Sequence, residues 1–146
     1  MRASGRRADP LRVARAGAAD LIVVKVAPLG GVARALDIVA QAGLPAVVSS
    51  ALDTSIGIRA GLALAAALPS LPYACGLGTV SLFASDITLD PLVPDDGAIR
   101  LREAIADPGL LEQYAAPGER RDWWLERLRR VHSTLASSQE DLFTET

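Results

Sequence analysis

Lys25 is the only lysine in the chain, and the other fourteen of its fifteen basic residues are arginine. It closes the apolar run Leu21-Ile22-Val23-Val24. An arginine stays protonated at any working pH, whereas a lysine ammonium adjusts to burial and can give or take a proton. A lone lysine at the mouth of a buried strand is therefore a candidate for chemistry. Two further groups end apolar segments in the same way. Ser49-Ser50 close Val47-Val48, with Asp53 just beyond, and Gly76-Leu77-Gly78 follow Tyr73-Ala74-Cys75. Two adjacent hydroxyls offer donors and acceptors. A glycine pair leaves backbone N–H groups uncovered. One ammonium, two hydroxyls and a set of amides on one rim suit an anionic substrate, above all a carboxylate.

Each group also has a plainer reading. A strand-end lysine can snorkel to solvent, and serines before a helix can satisfy backbone groups. Asp53 reads most simply as a helix cap. Gly76-Leu77-Gly78 is no dinucleotide fingerprint, because the third glycine and a long following helix are missing. The functional reading rests on the three groups recurring at equivalent strand ends, where parallel α/β folds gather their chemistry. His132 lies among arginines with no partner at ligand spacing, and no Ser-His-Asp or Cys-His arrangement is legible.

The elements that must position these residues alternate. Residues 1–8 read as a loose lead-in. Asp9-Pro10 opens a short helix that ends near Gly17. Residues 21–26 form a near-continuous apolar strand of the kind covered on both faces. Pro28 and Gly30-Gly31 make a turn. Val32, Leu36, Val39 and Ala40 then repeat at helical spacing, closed by Gly43. Residues 45–48 are a second buried strand. Asp53 or Thr54 caps an Ala- and Leu-rich helix that stops before Pro69. Residues 71–75 are a third, weaker strand. This alternation predicts βαβ units and a parallel sheet. Beyond Thr79, residues 81–85 form a short helix, and Asp96-Gly97 is a hairpin turn between Leu92-Val93 and Ile99. Asp107-Pro108 starts another helix. Pro117-Gly118 starts the last, over 119–135, with Trp123-Trp124, Leu125, Leu128 and Val131 as its docking face. Residues 136–146 read as a flexible tail, so the folded part is 9–135.

The 146 residues are half apolar and carry a formal net charge of −2. That suffices for one domain with a real core. The absence of a basic excess argues against nucleic-acid binding. The single Cys75 forms no internal disulfide and fits a reducing compartment. No apolar stretch is long enough for a membrane span, and no signal-peptide pattern opens the chain. The expected location is the cytoplasm.

Three motifs in order at βα spacing carry a resemblance: Val24-Lys25-Val26-Ala27-Pro28-Leu29-Gly30-Gly31, then Val47-Val48-Ser49-Ser50-Ala51-Leu52-Asp53-Thr54, then Tyr73-Ala74-Cys75-Gly76-Leu77-Gly78-Thr79. Together they resemble the o-succinylbenzoate synthase family of menaquinone biosynthesis, in the enolase superfamily. Pro91-Leu92-Val93-Pro94-Asp95-Asp96-Gly97 and Trp123-Trp124 resemble the C-terminal region of that family. The resemblance implies the C-terminal portion of a (β/α) barrel, about three βα units plus C-terminal helices. It also implies a Mg²⁺-dependent syn-dehydration of a cyclohexadiene carboxylate. Lys25 matches the lysine that stabilises the enediolate intermediate, opposite a Lys-x-Lys base. Ser49, Ser50, Gly76, Leu77 and Gly78 match positions that hold the substrate's succinyl carboxylate.

The chain departs from the family in three ways. A whole barrel needs about 250 residues. There is no Lys-x-Lys, and the carboxylates that hold the metal in the family fall upstream of these motifs. The expectation is a C-terminal fragment of the enzyme with no metal ligands of its own, inactive alone. An N-succinylamino acid racemase or another superfamily activity is one alternative. A non-catalytic remnant, or a small anion-binding α/β module, is the other.

Overall fold

The computed structural model describes residues 11–144, with side chains to residue 136. The expected helix start at Asp9-Pro10 and the lead-in over 1–8 lie outside the described residues. The chain divides into two compact units, the first reaching Leu110 and the second beginning at Leu111.

The first unit opens with a one-turn helix, α1 (Arg12–Arg15), followed by strand β1 (Ile22–Val24). A second one-turn helix, α2 (Val26–Leu29), leads through Gly30-Gly31 into α3 (Val32–Ala42). The two glycines have φ of 88° and 121°, a left-handed region that side chains disfavour, so the glycine pair makes this turn possible. Strand β2 (Ala46–Val48) and helix α4 (Ser55–Ala67) complete the second βα unit. β1 and β2 run parallel in the register Ile22↔Ala46, Val23↔Val47 and Val24↔Val48.

The expected third strand over 71–75 is not a regular strand. It joins the sheet only at a parallel bridge between Ser49 and Gly76. There Gly76 N–H donates to the Val48 carbonyl at 2.9 Å and Ser50 N–H donates to the Gly76 carbonyl at 2.9 Å. Pro72 lacks a donor, and the segment has no β-branched residue to favour an extended ladder. The first strand is likewise shorter than expected, because Val26 already belongs to α2.

Helix α4 covers the sheet. It buries Ser55, Ile58, Gly61, Leu62, Leu64 and Ala65, one face at helical spacing. Val24 and Val48 from the sheet, Ala35 from α3, and Leu77, Val80, Leu92 and Ala104 from later segments close the same core. Gly61 is the contact point, since a Cβ there would stand 2.6 Å from Leu77 Cδ2. A five-residue 3-10 helix, Gly78–Leu82, replaces the helix expected over 81–85.

The Asp96-Gly97 turn forms as read. Asp96 and Gly97 have φ of 47° and 75°, the signature of a tight two-residue hairpin turn. Its flanks pair only at Asp95 and Ala98. Helix α5 (Pro108–Gln113) begins after Asp107, whose carboxylate accepts from Leu110 N–H at 2.9 Å, a helix cap as the sequence suggests.

The second unit holds α6 (Gly118–Thr144), which continues past the expected end at residue 135. Along it, Trp123 and Trp124 meet edge to face with ring centroids 4.7 Å apart. The Arg127 guanidinium lies 5.7 and 5.8 Å from those two ring centres, close enough for cation–π attraction. Among the described residues, no helix is long and apolar enough to cross a membrane.

Candidate functional site

The parallel register decides which strand-end residues meet. Val24 pairs with Val48, so the next residues, Lys25 and Ser49, emerge side by side at the carboxyl ends of β1 and β2. Lys25 is still extended, with φ −124° and ψ 130°, and Ser49 N–H donates to the Val24 carbonyl at 2.9 Å. The Lys25 ammonium donates to Ser49 Oγ at 3.2 Å and to the Ser50 carbonyl. The bridge to Gly76 then sets the third segment beside Ser49. A Cβ on Gly76 would lie 3.2 Å from Ser49 Oγ, so any side chain here would crowd the Ser49 hydroxyl.

The structure therefore brings Lys25, Ser49, Ser50 and Gly76 into one hydrogen-bonded group. Lys25, Ser49 and Ser50 line a pocket of about 130 Å³ together with Asp53 and Leu77. Among the described residues, no carboxylate lies within ion-pair distance of Lys25. An ammonium held by neutral oxygens and facing a pocket keeps its charge available for an incoming anion. The Asp53 carboxylate instead accepts from Ala51 N–H at 3.0 Å, tying its own loop.

Three positions differ from the sequence reading. The N–H of Gly76 is committed to Val48 and is not free for a ligand. The Leu77 side chain is buried in the core against Gly61, leaving its backbone as the part that can reach the pocket. Among the described residues, the N–H groups of Leu77 and Gly78 meet no backbone acceptor. Ser50 is buried, and its hydroxyl contacts the Gly76 carbonyl at 3.0 Å and Thr79 Oγ1 at 2.7 Å.

Two residues of this neighbourhood escape sequence reasoning. Thr79 appears there only as the end of a motif. The other is Asp86. Thr54 holds the N-cap position of α4 but makes no side-chain cap. Asp86, 31 residues after Ser55, does so instead, accepting from Ser55 N–H at 3.2 Å and from the Ser55 hydroxyl. A cap supplied from so far along the chain leaves no local pattern to read.

Among the described residues, no group of three or more His, Cys, Asp or Glu is placed to hold a metal ion. The side chains around Lys25 do not fit Mg²⁺, which takes carboxylate and water oxygens, because Asp53 is the sole acid lining the pocket. A second pocket, about 400 Å³, lies between α4 and the Asp96-Gly97 hairpin and is lined mainly by apolar residues such as Leu62, Leu71 and Ile99.

Over 127 residues, 87% of its length, the chain is 57% identical to the o-succinylbenzoate synthase of Mycolicibacterium smegmatis. Over the same share it is 52% identical to the o-succinylbenzoate synthase of Mycobacterium marinum. It spans 39% and 38% of those two proteins' lengths. Among solved structures it matches the muconate lactonizing enzyme of Pseudomonas putida with a TM-score of 0.65 and 23% identity, over 73% of this chain and 32% of that one. It also matches a probable mandelate racemase from Alicyclobacillus acidocaldarius with a TM-score of 0.60 and 32% identity, over 72% of this chain and 30% of that one. The profile of the enolase C-terminal domain-like family aligns with residues 2–112, which include both βα units, the bridge at Gly76 and every residue of the Lys25 group. The chain belongs to the enolase C-terminal domain-like family.

Proposed function

We propose that this chain supplies the Lys25 side of an o-succinylbenzoate synthase site, part of a cytoplasmic lyase that dehydrates a cyclohexadiene carboxylate for menaquinone biosynthesis. The observation that carries the reading is the Lys25 ammonium, held at the ends of two parallel strands by Ser49 Oγ and the Ser50 carbonyl. Relatives named o-succinylbenzoate synthase, 57% and 52% identical over most of the chain, support it.

In this role Lys25 keeps a positive charge where an enediolate oxygen develops negative charge, so it lowers the barrier by fixed electrostatic attraction. Ser49, whose proton rests on the Ser50 carbonyl at 3.2 Å, turns it to the same anion or to the succinyl carboxylate on binding. The N–H of Leu77, which lines the same pocket, supplies a neutral donor beside them, whereas Gly78 lines the pocket by the Asp96-Gly97 hairpin. Ser50 and Gly76 hold the rim in register. The base that removes the substrate's proton and the metal implied by the family are not supplied by the described residues. The chain by itself is expected to be inactive.

The test uses the single lysine. With lysine labelled by ¹⁵N and ¹³C, the chain gives one lysine side-chain signal, and succinate serves as a probe for the carboxylate site. The expected result is a saturable shift of the Lys25 signal that is lost in Lys25→Met. A signal indifferent to succinate and to o-succinylbenzoate rejects the assignment. Release of o-succinylbenzoate by the purified chain would show that it needs no further residues. A second reading, proton exchange at a carbon next to a carboxylate, is favoured by the 32% identity to a probable mandelate racemase. Deuterium uptake into an N-succinylamino acid, without dehydration, would select it.

A further inference from the structure

We infer that Thr79 is a positioning residue of the Lys25 site, acting through Ser50, and that the Ser50 hydroxyl is a brace and not a ligand for substrate. The inference deepens the reading above and rests on it for the identity of the anion.

Protons fix the direction of each bond around Ser50. A serine hydroxyl has one proton to donate and two lone pairs to accept with. Ser50 Oγ lies 3.0 Å from the Gly76 carbonyl, which can only accept, so the Ser50 proton points there. Ser50 Oγ also lies 2.7 Å from Thr79 Oγ1. With its own proton committed, Ser50 must be the acceptor in that contact, and Thr79 donates. The order is therefore Thr79 to Ser50 to Gly76. The Gly76 carbonyl receives Ser50 N–H as well, at 2.9 Å, so both of its lone pairs are occupied. Ser50 is 7% exposed, and its hydroxyl has no proton left for a ligand.

The far side of the same residue carries the ammonium. The Ser50 carbonyl accepts from Lys25 Nζ and, at 3.2 Å, from Ser49 Oγ. Ser50 is thus clamped at its side chain by Thr79 and Gly76, while its carbonyl anchors Lys25. Thr79 stands in the first turn of the 3-10 helix Gly78–Leu82, one residue past the Gly78 amide. Its hydroxyl ties that turn to the end of β2. A single donor thereby couples the position of the Leu77 and Gly78 amides to that of Lys25. Ser49 is only half-buried and lines the pocket; its hydroxyl accepts from Lys25 and rests its proton on the Ser50 carbonyl at 3.2 Å, so it is the serine that can turn that proton to an incoming anion.

The Lys25 side-chain signal tests this directly in the labelled chain. Thr79→Val keeps the shape and removes the donor, whereas Thr79→Ser keeps the donor. Without ligand, Thr79→Val is expected to move the Lys25 signal, and Thr79→Ser to restore it. With succinate as probe, Thr79→Val and Ser50→Ala are each expected to weaken binding by roughly fivefold, the effect of one lost neutral hydrogen bond. The double variant is expected to be no weaker than either single one, because the two residues act in one chain. Should Thr79→Val not fold, Thr79→Ala with Thr79→Ser as its control replaces it. A Thr79→Val variant whose Lys25 signal and succinate affinity match the parent, with only a lowered Tm, overturns the inference. So does a Ser50→Ala loss far larger than that of Thr79→Val, which would make Ser50 a direct ligand. If the parent chain ignores succinate, the functional reading fails, while the ligand-free comparison of Thr79→Val with Thr79→Ser still decides the brace.

Discussion

The first unit contains two clusters in which a serine meets a charged side chain, and they are built to opposite ends. At the head of α4, Ser55 is fully buried, and its hydroxyl donates to Asp86 while accepting from Leu92 N–H at 2.7 Å. Asp86 in turn accepts from Ser55 N–H and, at 2.8 Å, from Ile87 N–H. This cluster closes on itself around the orphan donors that begin every helix. At the end of β1 and β2, Lys25 and Ser49 are only half-buried and open into a pocket. An ammonium has three protons to donate, and Lys25 has two acceptors, Ser49 Oγ and the Ser50 carbonyl. The difference teaches how to tell structure from function among like residues. A saturated, buried cluster stabilises the fold, whereas one with an unused donor facing a cavity is prepared for a ligand.

The comparison can be broken most severely at the closed cluster. Asp86→Ala removes the cap of α4 and frees the segment leading to Leu92, with an expected loss of about 3 kcal/mol, since hydrogen bonds to a charged group are the strong ones. A shift of the urea midpoint at constant m-value would show it. Ser55→Ala leaves the buried Leu92 N–H without an acceptor and is expected to cost about 2 kcal/mol. Its effect should overlap with that of Asp86→Ala, so a double-mutant cycle returns less than the sum. If the two add fully, the cluster is not one unit.

The open cluster should respond in the reverse sense. Gly76→Ala pushes a methyl group toward Ser49 Oγ, with an expected cost of about 1 kcal/mol from overpacking and a clear displacement of the Lys25 signal. Lys25→Met is expected to change stability by less than about 1 kcal/mol, because the ammonium gives up hydration to reach its two acceptors, which offsets those bonds, and methionine keeps the packing of the stem, yet to abolish the succinate response. A large stability loss on removing Lys25 would make it a structural residue and dissolve the contrast. The smallest effect belongs to the surface. Arg102→Ala breaks the exposed pair with Asp90, 2.6 Å apart, and is expected to cost under about 1 kcal/mol, fading further in high salt.

Several features were legible because they depend on local chemistry. The strand–helix alternation, the Gly30-Gly31 turn, the Gly43 helix end and the Asp96-Gly97 turn all follow from φ preferences and apolar spacing. Lys25, Ser49 and the glycine motif stood out by residue type and by position after apolar runs. The third strand was overestimated because its apolar composition hid the missing donor of Pro72. Thr54 was legible as the N-cap position of α4, but the side chain that satisfies the helix start, Asp86, belongs to a distant loop and was not. Gly76 was expected to offer its N–H to a ligand, but the bridge to Val48 takes it.

From residue order alone come the identity of the elements, the uniqueness of Lys25, and the placing of three polar motifs after apolar segments. Those are matters of side-chain type and backbone preference over a few neighbours. Which donors remain free is a different question, because a hydrogen bond is a relation between groups that the chain brings together from far apart. Only the parallel register of β1 and β2 sets Lys25 beside Ser49. Only the closing of the third segment onto β2 saturates Gly76 and Ser50 through Val48 and Thr79. The candidate site is what that closure leaves unsatisfied.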